Sequence, residues 1–113
     1  MIFIADSLDN AYKFRQVLSS MDVDVSAGSS LQFKKLLSQK KDCDLVIYET
    51  RNDATTEIAA AEQLLVEAGG PALLVILDDE MLSDFRLPMQ VKADFVVLGA
   101  SQGECSARIR QLL

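Results

Sequence analysis

Five short apolar runs alternate along the chain with longer segments whose apolar residues recur every three or four positions. Three of the runs are almost continuously apolar, which is typical of strands covered on both faces of a parallel sheet. One run, Val23-Asp24-Val25, alternates instead, as a strand at a sheet edge should. The predicted strands are Ile2–Ala5, Val23–Val25, Leu45–Tyr48, Ala72–Leu77 and Phe95–Leu98.

The segments between the runs have helical spacing, and several carry helix boundary signals. Ser29 and Asp53 are residue types that cap a helix start, and Gly69-Gly70-Pro71 predicts the end of the third helix. The segment Glu80–Val91 contains Pro88, which predicts a short or irregular fourth helix. The apolar residues that define the first and last helices are Phe14, Val17, Leu18 and Met21, and Cys105, Ile109, Leu112 and Leu113.

Strand and helix therefore alternate five times, which predicts a flavodoxin-like (βα)5 α/β fold, a three-layer sandwich with a parallel sheet in the order 2-1-3-4-5. The length of 113 residues fits one domain spanning residues 1–113. In such a sheet, functional residues gather at the carboxyl ends of the strands, where loops from strands 1, 3, 4 and 5 meet.

Composition narrows the function classes. The net charge of −6 disfavours direct binding to nucleic acid or to an anionic membrane, since both require clustered Lys and Arg. No apolar run reaches the roughly 18 residues of a membrane span, and the start lacks the pattern of a signal peptide, so we expect a cytoplasmic protein. Cys43 and Cys105 do not form a metal-binding pair, and histidine is absent, so we expect no cofactor, no metal and no enzyme activity.

The candidate site lies at the carboxyl ends of the predicted strands. Its residues are Asp6, Ser7, Glu49, Arg51, Leu77 and Gly99. A carboxylate at a sheet edge seeks a cation or hydroxyl donors, so Glu49 is expected to contact Arg51 and Ser7. The alternative, equally open, is that Glu49 and Arg51 form a plain surface ion pair contributing ~0–1 kcal/mol.

The whole chain resembles the response-regulator receiver family, and two segments carry the clearest matches. The final helix, ECSARIRQLL at Glu104–Leu113, is similar to the receiver ending of the OmpR/PhoB class. The segment Asp44–Glu49 places Glu49 where that family carries its phosphoacceptor Asp. The resemblance implies a regulatory domain, with a winged-helix domain expected beyond the chain. Only that second domain would bind DNA.

The departures from the family pattern imply an atypical member. Ser7 replaces one residue of the usual acidic pair, and Leu77 and Gly99 stand where the family has a Ser or Thr and a Lys. Without these groups a magnesium ion and a phosphoryl group would be poorly held. The run Glu49–Asp53 is also similar to GlnR-type nitrogen regulators of actinobacteria, which resemble this chain in lacking much of the phosphorylation set. We therefore expect a phosphorylation-independent receiver.

The resemblance also implies a homodimer through helix 4, strand 5 and helix 5. The candidate interface residues are Arg86, Asp94, Phe95, Glu104 and Arg108. We expect Arg86 to pair with Glu104, and Asp94 with Arg108, across a two-fold axis. Phe95 replaces the acidic residue that the class more often uses, and it would add apolar contact. Alternatively, these charges are simply solvated.

Taken together, the sequence predicts the N-terminal regulatory and dimerisation domain of an atypical transcription regulator. A stand-alone adaptor that binds a partner protein through the same face is a second possibility. A receiver phosphorylated by a histidine kinase, or a small flavodoxin-like ligand-binding enzyme domain, is a third. Against the enzyme, no Gly-rich phosphate loop follows strand 1, where the chain reads Ser7-Leu8-Asp9-Asn10.

Overall fold

Five parallel strands and four α-helices make up the regular structure of the computed structural model. It describes residues 1–6, 8–21, 24–39, 42–51 and 53–113, and of residues 8–13 only the backbone. The strands are β1 (Ile2–Ile4), β2 (Ser26–Gly28), β3 (Leu45–Glu49), β4 (Ala72–Leu77) and β5 (Ala93–Val97). The helices are α1 (Leu8–Ser20), α2 (Phe33–Gln39), α3 (Ala54–Glu67) and α4 (Gln102–Leu112).

The sheet order is β2-β1-β3-β4-β5, which confirms the predicted order. All residues of β3 and β4 are buried, because helices cover both faces of these central strands. Side chains alternate between the two faces along each strand. Residues of α2 and α3 share one core cluster with Val46 and Tyr48, and residues of α1 and α4 share the other with Leu45 and Ile47. The three-layer arrangement is therefore also as predicted.

The third helix has the boundaries that its local signals predict. The Asp53 carboxylate accepts a hydrogen bond from the Thr56 amide and caps the start of α3. Gly69 and Gly70 have φ angles of +99° and +79°, a left-handed conformation that glycine adopts without strain. The Gly70 amide donates to the Leu65 carbonyl at 2.8 Å, which closes the last turn of the helix.

The connection between β4 and β5 differs from the (βα)5 prediction. It contains a 3-10 helix at Asp79–Met81 and no α-helix, so the described residues hold four α-helices, not five. Pro88 cannot donate a helical hydrogen bond, and the Gln90 amide donates to the Glu62 carboxylate of α3 at 2.8 Å. This bond ties the irregular connection to α3.

The second strand also differs from its prediction. It lies at Ser26–Gly28 and not at Val23–Val25; Val23 is outside the described residues, and Val25 lies in the loop before the strand. Pairing with β1 sets the position: the Ser26 amide donates to the Met1 carbonyl, and the Gly28 carbonyl accepts from Ala5, at 3.0 Å each. The last strand is likewise displaced, beginning at Ala93, before the predicted Phe95.

Candidate functional site

Asp6 lies just beyond β1 and joins three segments at the carboxyl edge of the sheet. One oxygen, Oδ1, accepts from the Ser30 amide at 3.1 Å. The other, Oδ2, accepts from the Ser30 hydroxyl at 3.1 Å and from Arg51 Nε at 2.9 Å. The Asp6 side chain is 18% exposed to solvent. Both carboxylate oxygens are thus bonded to donors from the segments that follow β2 and β3.

Arg51, which we expected to pair with Glu49, forms this ion pair with Asp6. Its backbone amide donates to both carboxylate oxygens of Glu57, in the first turn of α3, at 3.0 and 3.2 Å. The Arg51 side chain is 54% exposed, so solvent still reaches the guanidinium. Two acidic residues from different elements therefore hold the segment that leaves β3.

Glu49 is the last residue of β3 and is only 7% exposed. Because side chains alternate along the strand, Glu49 shares the face of Leu45 and Ile47, which α1 and α4 cover. Ser7, the hydroxyl donor expected for Glu49, lies outside the described residues. The predicted phosphoacceptor position is thus a buried carboxylate at the end of β3, on the face that α1 and α4 cover. Asp6 and Arg51 form the rim of the carboxyl edge.

Leu77 and Gly99 stand at the other two predicted rim positions. Leu77 ends β4 and is fully buried in the core cluster that α2 and α3 cover. Gly99 lies exposed in the turn after β5, and a Cβ atom built there would have no atom within 4 Å. Neither residue brings a hydroxyl or an ammonium group to the rim, and the space at Gly99 does not require glycine.

Three further polar residues, Thr50, Ser30 and Glu57, lie at the rim but were not predicted from the sequence. The Thr50 hydroxyl donates to the Ile76 carbonyl at 3.0 Å and lies 3.4 Å from Met81 Sδ. Ser30 and Glu57 hold Asp6 and the Arg51 amide, as described above. Ser30 and Glu57 each carried a sequence signal, since both lie in the first turn after a capping residue.

The rim charges act on Tyr48, which is buried and packs its ring 5.6 Å from that of Phe33. Burial raises the pKa of the Tyr48 phenol, and the negative charges of Glu57 and Asp6 raise it further. The Arg51 guanidinium acts in the opposite direction and lowers this pKa. Tyr48 therefore reports on the balance of charge at the rim.

The described residues hold no group of three or more acidic, cysteine or histidine side chains that could bind a metal ion. They also contain no helix long and apolar enough to span a membrane.

The predicted interface residues occupy β5, α4 and the connection before β5. Arg108 Nη1 lies 3.1 Å from Asp94 Oδ2, and Nη2 lies 3.7 Å from Glu104 Oε1, so these three side chains form one cluster within the chain. The Phe95 ring meets that of Phe85 edge to face at 6.3 Å. Arg86 is exposed in the irregular connection. The structure therefore brings Asp94 and Arg108 together in one chain, where we expected them to pair between subunits.

Comparison with known proteins shows the fold of this chain. No protein-family model and no curated protein matches the chain. A de novo designed Rossmann 2x3 fold protein, solved by NMR in solution, is similar with a TM-score of 0.64 and 12% sequence identity. The match covers 97% of this chain and 85% of the designed protein. At that identity the likeness shows the fold alone: a Rossmann-like or flavodoxin-like α/β domain.

Proposed function

We propose that this chain is a receiver-like regulatory module that works as a homodimer and without phosphorylation, and that it is not an enzyme. The observation that carries the proposal is the bonding of Asp6. Its two oxygens accept from Ser30 and from the Arg51 guanidinium. The acidic residue that should bind a divalent cation is used instead as a structural link between segments.

The chemistry of phosphoryl transfer supports this proposal. Transfer to a carboxylate needs a divalent cation with oxygen ligands to neutralise the developing charge. A cation at Asp6 would have to displace Arg51, whose Nε lies 2.9 Å away, or approach it against charge repulsion. Leu77 and Gly99 provide no hydroxyl or ammonium group to retain a phosphoryl group. We therefore expect the rim to stay in its unphosphorylated arrangement.

The buried carboxylate of Glu49 bears on how the module could work without phosphorylation. This carboxylate occupies the place that the receiver resemblance assigns to the phosphoacceptor. We propose that this carboxylate replaces a regulated phosphate, so that the output face keeps one arrangement. By the same resemblance, we propose that the module serves a cytoplasmic transcription regulator that binds DNA through a separate winged-helix domain. Dimerisation would place two such domains on paired DNA half-sites.

Charge exchange at the proposed interface tests the dimer. Wild type should behave as a dimer in light scattering at high micromolar concentration. Glu104→Arg alone and Arg86→Glu alone should each weaken the dimer, because each places like charges opposite one another. The double variant should recover most of the association, since it restores the pair with its polarity reversed. A wild type that stays monomeric, or a double variant no better than the single ones, would contradict the proposal.

A further inference from the structure

Strand β5 forms the longer open edge of the sheet. In the described sheet it has β4 as its one neighbour, whereas the opposite edge, β2, is only three residues long. The five residues Ala93–Val97 include Phe95, Val96 and Val97, which are strong strand formers. An exposed edge of this kind is a template for pairing with a strand of another chain.

The hydrogen bonds to β4 show which backbone groups face the open side. The Lys92 carbonyl accepts from β4 and the Leu98 amide donates to β4, at 2.9 Å each. In a parallel pair, the backbone groups of alternate residues face the same neighbour. The odd-numbered residues therefore turn their amides and carbonyls outward, away from β4. These residues are Ala93, Phe95 and Val97.

The side chain of Asp94 accepts the hydrogen bond of the Phe95 amide, which is the central donor on the open side of β5. The Phe95 amide donates to Asp94 Oδ1 at 2.8 Å, and Asp94 Oδ2 is held by Arg108 at 3.1 Å. The Asp94 side chain is 19% exposed, so the bond lies in a partly dry environment. In addition, the outward Val97 carbonyl accepts from the Ala100 amide at 3.0 Å. Two of the groups that a new strand needs are already bonded within the chain.

The occupant that fits this edge is a second copy of β5. An antiparallel pair about a two-fold axis through Phe95 would place the two Phe95 residues opposite each other, and Ala93 opposite Val97. Both central hydrogen bonds of that pair would come from Phe95 amides, which Asp94 holds. We propose that Asp94, oriented by Arg108, is a positioning residue that keeps the β5 edge closed to β5 of a second copy. This inference does not depend on the proposed function.

Sedimentation velocity of single variants tests whether Asp94 prevents pairing at the β5 edge. Asp94→Ala removes the acceptor and should raise the constant for self-association by at least about tenfold, as expected for freeing one hydrogen bond in each copy. Asp94→Asn keeps an oxygen acceptor at the same place, and Asp24→Ala removes an equal charge far from β5; both should behave as wild type. The inference fails if Asp94→Ala matches wild type, or if either control associates as strongly as Asp94→Ala.

Amide hydrogen exchange locates the effect on the strand. In wild type, the Phe95 amide should exchange slowly at every protein concentration. In Asp94→Ala, it should exchange fast in dilute solution and slowly when the protein is concentrated. A Phe95 amide that exchanges fast in wild type overturns the inference, even if the variant does not fold. So does association of the variant without protection of this amide.

The two proposals fail separately. A monomeric wild type contradicts the homodimer and leaves the closed edge standing, because Asp94→Ala should then form dimers. If wild type is already dimeric through the face that contains β5, Asp94→Ala should stay dimeric but gain protection of the Phe95 amide when it dimerises, because the open edge then pairs within that dimer. A variant that shows neither change contradicts the closed edge alone.

Discussion

Asp6 shows how one side chain can fix the relative positions of three chain segments. Its carboxylate bonds the Ser30 amide, the Ser30 hydroxyl and Arg51, which follow β2 and β3. The two partners of the ion pair differ in exposure and in number of bonds: the Asp6 side chain is 18% exposed and also holds Ser30, whereas the Arg51 side chain is 54% exposed. The two partners of this ion pair should therefore contribute unequally to stability.

Asp6→Ala should lower the free energy of unfolding by about 1–3 kcal/mol, because it leaves the Ser30 donors and Arg51 without their acceptor. Arg51→Ala should cost only ~0–1 kcal/mol, as for an exposed ion pair, since Asp6 keeps its bonds to Ser30. Urea denaturation of the two variants measures both values. Equal costs would show that the ion pair, and not the link to Ser30, supports the rim.

Tyr48 provides an electrostatic test of the same rim. Removing the Asp6 charge in Asp6→Asn should lower the Tyr48 pKa, and removing the Arg51 charge in Arg51→Gln should raise it. Absorbance titration in a Tyr12→Phe background isolates this phenol. Because the folded pKa is raised, the stability contribution of Tyr48 is complete below the ordinary value of about 10 and is lost as pH rises above it. Shifts in the same direction for both variants would contradict the described geometry.

Secondary-structure elements were predictable where their signals are local. The start and end of α3 depend on Asp53 and on Gly69-Gly70, which act on backbone groups a few residues away. Strand β2 depends on distant partners: pairing with β1 places Ser26–Gly28 in the sheet. The segment between β4 and β5 depends on the bond from the Gln90 amide to Glu62 of α3. No spacing pattern in the segments themselves encodes such contacts.

Gly28 is constrained by the segment that directly follows β2. A Cβ atom there would lie 2.7 Å from Leu36 Cδ1 and 2.8 Å from Gln32 Oε1. Gly28→Ala should destabilise the fold by no more than about 1 kcal/mol, because both atoms end flexible side chains that can move, at the cost of the bond that Gln32 Oε1 accepts from the Ser29 amide.

Gly103→Ala is the matched control for this prediction. Gly103 lies in the first turn of α4, and its nearest contact, Ser101 Oγ, is 3.9 Å from the added atom. The substitution should be neutral or stabilise the protein by up to ~1 kcal/mol, through helix propensity and reduced freedom of the unfolded chain. Thermal unfolding compares the two variants. A Gly28→Ala protein as stable as Gly103→Ala would show that α2 does not constrain β2.

At the scale of the whole molecule, the fold and the site were predictable to different extents. Alternating apolar runs and helical segments determine the sheet order, because right-handed crossovers leave few alternatives. The same order brings Asp6 and Arg51 together at the carboxyl edge and leaves Glu49 at the end of β3. Which of them pair could not be predicted, since the bonds depend on side-chain positions a few ångströms apart. Because one fold supports many functions, the proposal rests on this rim and not on the architecture.

The proposed function requires that the rim has lost the chemistry of phosphoryl transfer. Incubation of the protein with Mg²⁺ and acetyl phosphate, followed by intact mass spectrometry, tests that loss directly. A receiver with a complete set of phosphorylation residues, treated in parallel, is the positive control. We expect the mass of this protein to stay unchanged while the control gains about 80 Da, the mass of one phosphoryl group. An equal gain on this chain, located by fragmentation to Asp6 or Glu49, would contradict the proposed function.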